Sequence, residues 1–265
     1  MGEKVGRSLP LSLPRRFIGD LLHFAQKVPT VPVQRRMNIA RLMAAREQVF
    51  PRPSWCALFT KAYGMVAAAR PELRRAYLTL PRPRLYEHPS SIASIAIERD
   101  WQGEDAVFFV QIRGPENHSA VQIDDYVQEC RVDPVQSIGT FRRTLRVARF
   151  PRVLRRLLWW LGLNLSGYRR ARNWGTFAVS VYSGLGAESL HPLSPLTTTL
   201  NFGVIAADGT VDVRIIYDHR VMDGSTVARA LADLEQTLNG SLADSLMIPA
   251  RNGARLGATA ETAPV

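Results

Sequence analysis

Apolar residues recur along the chain first at helical spacing, then in alternation, then at helical spacing again. Phe17, Ile18, Leu21, Leu22 and Ala25 share one helical face, which predicts a short amphipathic helix docked on the body or on a neighbouring subunit. Met37, Ile39, Ala40, Met43 and Ala44 predict a second helix from Arg36 to about Arg46, and Trp55 to Ala69 a longer, more buried one that stops before Pro71. Ser91 to Glu98 and Ala106 to Ile112 are rich in Ile, Val and Phe, and read as two strands joined by a turn at Asp100-Trp101-Gln102-Gly103. Asp124 to Val132 reads as a helix. Phe141 to Leu161 carries Val147, Phe150, Leu154, Leu157, Leu158 and Leu161 on a helical stripe that Pro151 interrupts. Strands return after Gly175, with a run from Thr176 to Tyr182 and a hairpin of Thr198–Ile205 and Val211–Tyr217 across Ala207-Asp208-Gly209. Val227, Ala228, Leu231, Leu234 and Leu238 predict a closing helix ended by Gly240, and residues 250–265 show no period.

Composition narrows this picture. With 265 residues, 46% hydrophobic and 22% charged, the chain can bury a real core and reads as one folded domain with loose ends. Its two cysteines, Cys56 and Cys130, make no disulfide framework, so a reducing, cytoplasmic setting is the simpler expectation. The longest apolar run, Leu157 to Leu163, is far short of a membrane span, no signal-peptide pattern opens the chain, and Gly6 stands where a myristoylation signal needs Ser or Thr. The net charge of +11 calls for an anionic partner, whether a phosphorylated cofactor, an anionic membrane surface or nucleic acid. Ten arginines lie between Phe141 and Arg172 with no acidic residue among them. Nucleic acid is not the expected partner, because no recognition motif accompanies the charge. His23, His88, His118 and His191 lack metal-ligand spacing, so no metal is expected, and Gly184-Leu185-Gly186 is too short for a dinucleotide fingerprint.

The segment Tyr217-Asp218-His219-Arg220-Val221-Met222-Asp223-Gly224 stands where a β run stops and a helix begins. Strand ends are where rigid scaffolds present reactive side chains. An imidazole there can take a proton from a thiol or hydroxyl near neutral pH, help worth roughly 10²–10⁴-fold. Alone, such a histidine is more often a satisfied structural residue; its neighbours and two further motifs change that balance.

His219, Asp223 and Gly224 match the His-x-x-x-Asp-Gly signature, extended by Asp218 and Arg220 to Asp-His-Arg-x-x-Asp-Gly, and here the chain resembles the acyltransferase components of 2-oxoacid dehydrogenase complexes. Gly175-Thr176-Phe177-Ala178-Val179-Ser180 is similar to that family's Gly-Thr-Phe-Thr-Ile-Ser strand. Arg36-Met37-Asn38-Ile39-Ala40-Arg41-Leu42-Met43 resembles its Arg-x-x-Ile-Ala-x-x-Met helix. The three motifs stand in the family's order across roughly Pro32 to Leu246, and a more distant likeness is to chloramphenicol acetyltransferase.

The resemblance to this dihydrolipoamide acyltransferase family implies a chloramphenicol-acetyltransferase-like α/β fold, a mixed sheet covered by helices in one domain. It implies homotrimers with active sites between subunits, the histidine from one copy and the serine from its neighbour. Carried over by position, His219 deprotonates the thiol of coenzyme A or dihydrolipoamide, and the Ser180 hydroxyl steadies the oxyanion. Asp223 becomes a structural partner of an N-terminal arginine, Arg36 in preference to Arg35, with Gly224 supporting the turn. Coenzyme A or an acyl-CoA is then a substrate, and an acyl carrier or small molecule the other partner, with an acyl group other than aminoacyl. The chain has no room for a lipoyl domain, so no covalent lipoyl group is expected, and Val181-Tyr182-Ser183-Gly184 departs from the family's Ser-Asn-Leu-Gly continuation, leaving donor and acceptor open. The expected division is an arm over 1–31, an acyltransferase domain over 32–248 and a flexible tail over 249–265. The arginine-rich stretch from 141 to 172 reads first as a solvated helix face whose leucines, Trp159 and Trp160 pack on the sheet. The sharper alternative is peripheral contact with an anionic membrane at its inner face, and with it a non-catalytic docking or scaffold protein of the same fold.

Overall fold

The computed structural model describes residues 6–247, and the tail expected over 249–265 lies outside them. In chain order its strands are β1 (Thr30–Asn38), β2 (Arg75–Leu78), β3 (Arg84–Glu87), β4 (Ile92–Trp101), β5 (Glu104–Arg113), β6 (Phe177–Val179), β7 (Thr198–Phe202) and β8 (Thr210–Asp218). β2 and β3 pair only with each other. The rest form one mixed sheet in the order β1-β8-β7-β6-β4-β5, in which β6 runs parallel to both its neighbours and the other pairs are antiparallel. Two turns explain the hairpins. Gln102 and Gly103 both have positive φ, 57° and 79°, the two-residue geometry whose twist suits the flanking strands. Gly209 has φ 81°, and a Cβ there would lie 2.7 Å from Cα of Ala40, so the β7–β8 turn needs glycine on both counts.

The helices are α1 (Leu13–Ala25), α2 (Ala40–Glu47), α3 (Trp55–Ala69), α4 (Ala120–Val132), α5 (Gly139–Ala148), α6 (Arg152–Asn164), α7 (Gly167–Trp174), α8 (Gly224–Thr237) and α9 (Ala243–Met247). Alternate residues of the strands, among them Ile95, Val110, Phe177, Leu200 and Ile215, meet α3, α4 and α8 on one face of the sheet. There Phe59 stacks on Phe202 at 4.1 Å, and the buried Tyr63 hydroxyl donates to Thr198 Oγ1 at 2.7 Å. The opposite face receives α1, α6 and α7. Phe17 of α1 lies 5.3 Å from Trp159, which stacks on Trp174 at 3.8 Å, so α1 docks on its own chain. α5 straddles the edge strand β5, Phe141 reaching Phe108 on one side and Val147 facing the other. Among the described residues no helix is long and apolar enough to cross a membrane.

Besides β2, β3, α7 and α9, which the sequence reading lacks, three elements differ from it. The helix expected from Arg36 begins only at Ala40, because Arg35 and Met37 alternate as strand residues toward α8, where the Arg35 guanidinium donates to Glu235 at 2.7 Å. The run expected from Thr176 to Tyr182 shortens to Phe177–Val179. The third difference is in the arginine-rich helices. Trp159 packs inward as expected, but Leu154, Leu157, Leu158 and Trp160 are 40%, 49%, 40% and 41% exposed, and Arg155 is buried in their place. Asp20 of α1 is the cause. Its buried carboxylate accepts from Arg155 Nε at 2.6 Å and lies 3.6 Å from Arg156 Nε, which turns the guanidinium side of α6 inward.

Losing one partner of a buried ion pair strands the other charge, a penalty of about 3–5 kcal/mol. Asp20→Ala is expected to lose stability on that scale in urea unfolding, and Asp20→Ala with Arg155→Met to regain most of it.

Candidate active site

β8, the strand next to the edge strand β1, carries the site. Its last residue, Asp218, is completely buried, and its carboxylate accepts three hydrogen bonds from Arg220, from the backbone N–H at 3.0 Å, Nε at 2.9 Å and Nη2 at 2.7 Å. The Arg220 guanidinium lies 4.5 Å above the Tyr77 ring. Behind it sits Arg170, also buried, donating to the carbonyls of Tyr77 and Pro195 at 2.8 Å each. Burial pushes Arg170 down to about 10, against the opposing pull of Asp218.

His219 follows this anchor. Its backbone N–H donates to Pro29 at 3.1 Å, while Asp218 N–H donates to Thr197 at 2.8 Å, so the chain entering the histidine is held from both sides. The ring itself is half exposed. Nδ1 lies 3.7 Å from Asp223 Oδ1, and among the described residues Nε2 has no hydrogen-bond partner. The other histidines are engaged: His191 with Thr30 Oγ1 at 2.9 Å, His88 with the Ser90 carbonyl at 2.7 Å, His118 with the Arg113 carbonyl at 3.0 Å, and His23 edge-on to Phe24. Asp223 is the N-cap of α8, yet its side chain makes no cap hydrogen bond and is 82% exposed toward His219. Gly224 opens α8 against the Tyr217 hydroxyl, 3.3 Å from where a Cβ would sit.

Arg36 does not join Asp223 within the chain. The β1–β8 register sets Arg36 opposite Asp212, whose carboxylate is 3.7 Å away, and six residues along β1 from Thr30, which pairs with Asp218. That is roughly 20 Å of strand. Arg35, the second candidate, is held by Glu235. The arginines that do brace the histidine's strand end, Arg220 and Arg170, have one signal in sequence: the Asp218-His219-Arg220 order. Nothing in the sequence pairs Arg170 with them.

Ser180 lies at the other end of the sheet. Its N–H donates to Leu200 at 3.1 Å, and its carbonyl accepts from the buried Asn201 side chain at 2.6 Å. Val179 pairs with Leu200, so Ser180, one residue further on, is level with Asn201 and its partner Arg214, about five residues short of His219 along β8 and two strands away. The separation is roughly 17 Å along the strands and about 10 Å across them, too far for the two side chains to meet in one chain. Ser180 opens on a groove of 870 Å³ shared with Trp55, Cys56, Tyr182 and Phe202. A second, apolar cavity of 390 Å³ lies on the far face of the sheet among Phe17, Phe109, Leu158, Trp159, Ala178 and Leu196. Its Pro195–Leu196 end directly precedes Thr197, whose carbonyl holds Asp218, but neither cavity is lined by His219. Burial pushes the thiols of Cys56 and Cys130 up to about 11, so neither is a thiolate at neutral pH.

No family model and no curated protein matches the sequence. Solved structures do. The chain superposes on a probable dihydrolipoamide acetyltransferase from Listeria monocytogenes with TM-score 0.64 at 16% identity, covering 89% of this chain and 95% of that one. A dihydrolipoamide acetyltransferase of Azotobacter vinelandii gives 0.65 at 17%, covering 92% and 95%; a serine, a histidine and an asparagine four positions after it have been investigated in its catalytic mechanism. The cubic core of a pyruvate dehydrogenase multienzyme complex gives 0.62 at 16%, covering 92% and 95%. The mixed sheet covered by helices is therefore the fold of these catalytic cores.

With its carboxylate carrying all three Arg220 contacts, Asp218→Ala is expected to cost about 3–5 kcal/mol in a denaturant titration, the scale for a buried pair broken on one side. Tyr77→Phe keeps the ring beneath the guanidinium and is expected to change stability little in the same titration.

Proposed function

We propose that the protein is an acyltransferase that moves an acyl group between coenzyme A, or another thioester carrier, and a second acceptor, with His219 as general base. The observation that carries this reading is the unspent Nε2 of a ring whose backbone is pinned at the end of a buried strand. The acceptor's S–H or O–H proton passes to Nε2, and the resulting nucleophile attacks the acyl carbonyl. The tetrahedral oxyanion takes a hydrogen bond from the Ser180 hydroxyl. As the intermediate collapses, the carrier thiolate leaves and recovers the proton from the imidazolium, so no net proton is consumed. Asp223, with Oδ1 3.7 Å from Nδ1, is the group placed to orient the ring. The A. vinelandii protein's histidine and asparagine have the spacing of His219 and Asp223, which supports the assignment.

An offset of roughly 17 Å by about 10 Å keeps one chain from supplying both groups, so on this reading the serine comes from a second copy. A closed homotrimer is the assembly we propose, in line with the oligomeric core among the structural neighbours. A cytoplasmic setting is part of the same proposal.

An acyl-CoA panel with thiol, hydroxyl and amine acceptors, read by free-thiol release, tests the reaction. His219→Ala is expected to lower kcat by roughly 10²–10⁴ and Ser180→Ala by about 10²–10³. Unchanged turnover in His219→Ala, or none by the wild type with any acyl-CoA, leaves the scaffold reading in its place. Co-refolding the two inactive variants in equal amounts is expected to restore about a quarter of the sites by random assortment around a ring. No recovery at all means that the site is not shared between copies.

A further inference from the structure

The helix α6 is built inside out. Arg155, Trp159 and Leu163 form its buried line, while Val153, Leu154, Leu157, Leu158 and Trp160 are 82%, 40%, 49%, 40% and 41% exposed. At 3.6 residues per turn these outward residues span an arc of roughly 160°, and Leu161 and Leu165 fall within it. A surface helix ordinarily turns such a face to the core. Here Asp20 holds the arginine side inward, so the apolar half stands in solvent as a contiguous patch, a mark of an interaction surface.

Charge says what covers it. Exposed Arg146 of α5, Arg149 at its C-terminal end, Arg152 of α6, and Arg169 and Arg172 of α7 surround the patch with positive charge, and no acidic residue occurs from Phe141 to Arg172. A second copy meeting this face through its own would set arginines against arginines, and with 34 basic residues to 23 acidic ones the chain offers little countercharge. Leucine and tryptophan on one side of a helix with arginine at its flanks is the composition that lies in a headgroup layer, guanidiniums on phosphates and the apolar side at the acyl boundary. The 390 Å³ cavity points the same way. Of its lining residues those exposed at the surface are Arg143, Leu158, Leu165 and Arg169, so it opens on this face.

We propose that the face formed by α5, α6 and α7 docks on an anionic lipid bilayer, with the apolar half of α6 at the acyl boundary and the cavity mouth turned toward the lipid. The inference is independent of the chemistry at His219. It is tested by sedimenting the full chain with vesicles of phosphatidylcholine alone and of equal parts phosphatidylcholine and phosphatidylglycerol, beside duplex DNA as competitor.

Binding is expected on the anionic vesicles only. Leu157→Glu with Trp160→Glu is expected to weaken it at least about a hundredfold, from the apolar burial lost. Arg146→Gln, Arg149→Gln and Arg152→Gln together are expected to weaken it about a hundredfold, from the loss of three surface cations. All these side chains are exposed, so thermal unfolding is expected to stay unchanged. Four results overturn the proposal: no binding to anionic vesicles at low salt; retention of binding by the Leu157/Trp160 variant, which marks mere charge adsorption; displacement by equimolar DNA; or a Leu157/Trp160 variant that falls from oligomer to monomer in light scattering, which assigns the patch to a second copy.

Discussion

The buried carboxylate of Asp218 is the constraint on which the site rests. A charge with no solvent exposure is tolerated only when its hydrogen-bonding capacity is filled, and Arg220 fills it from two residues away, forcing the chain into a tight turn at the end of β8. Tyr77 and Arg170 then fix the guanidinium's surroundings from the β2–β3 ribbon and from α7. Elements far apart in sequence thus converge on one strand end, and the histidine that follows inherits their rigidity without spending its own ring atoms.

The same sheet that holds His219 rigidly also keeps Ser180 away from it. Since β6 and β8 run in opposite directions, residues that follow their C-terminal ends emerge at opposite edges of the layer. Chain direction, rather than any loop conformation, therefore keeps the two side chains apart within one subunit. Rearranging a loop cannot close a gap that the hydrogen-bond register fixes.

Much of this was legible in the residues. Gln102-Gly103, Asp208-Gly209 and Pro151 carry local chemistry strong enough to place two hairpins and a helix break, and the Asp-His-Arg-x-x-Asp-Gly order located the strand end that matters. What escaped depends on distant partners. β1 was hidden because Met37, Ile39 and Met43 are spaced like a helix, and only the pairing with β8 and Glu235 makes a strand of Arg35 to Asn38. The stripe along α6 was visible, but which side faces inward is decided by Asp20, 135 residues earlier than Arg155. The Arg36–Asp223 pairing came from resemblance alone, and the β1–β8 register sends Arg36 to Asp212 instead. The four-residue strands β2 and β3 are too short for alternation to show.

The stacked indoles of Trp159 and Trp174, 3.8 Å apart on the wall of the apolar cavity, have a practical side. Aromatic rings that close couple their electronic transitions, and the coupling depends on their mutual angle. The molecule thus contains a built-in optical gauge, whose near-ultraviolet dichroism registers any shift of α6 against α7 with no dye attached.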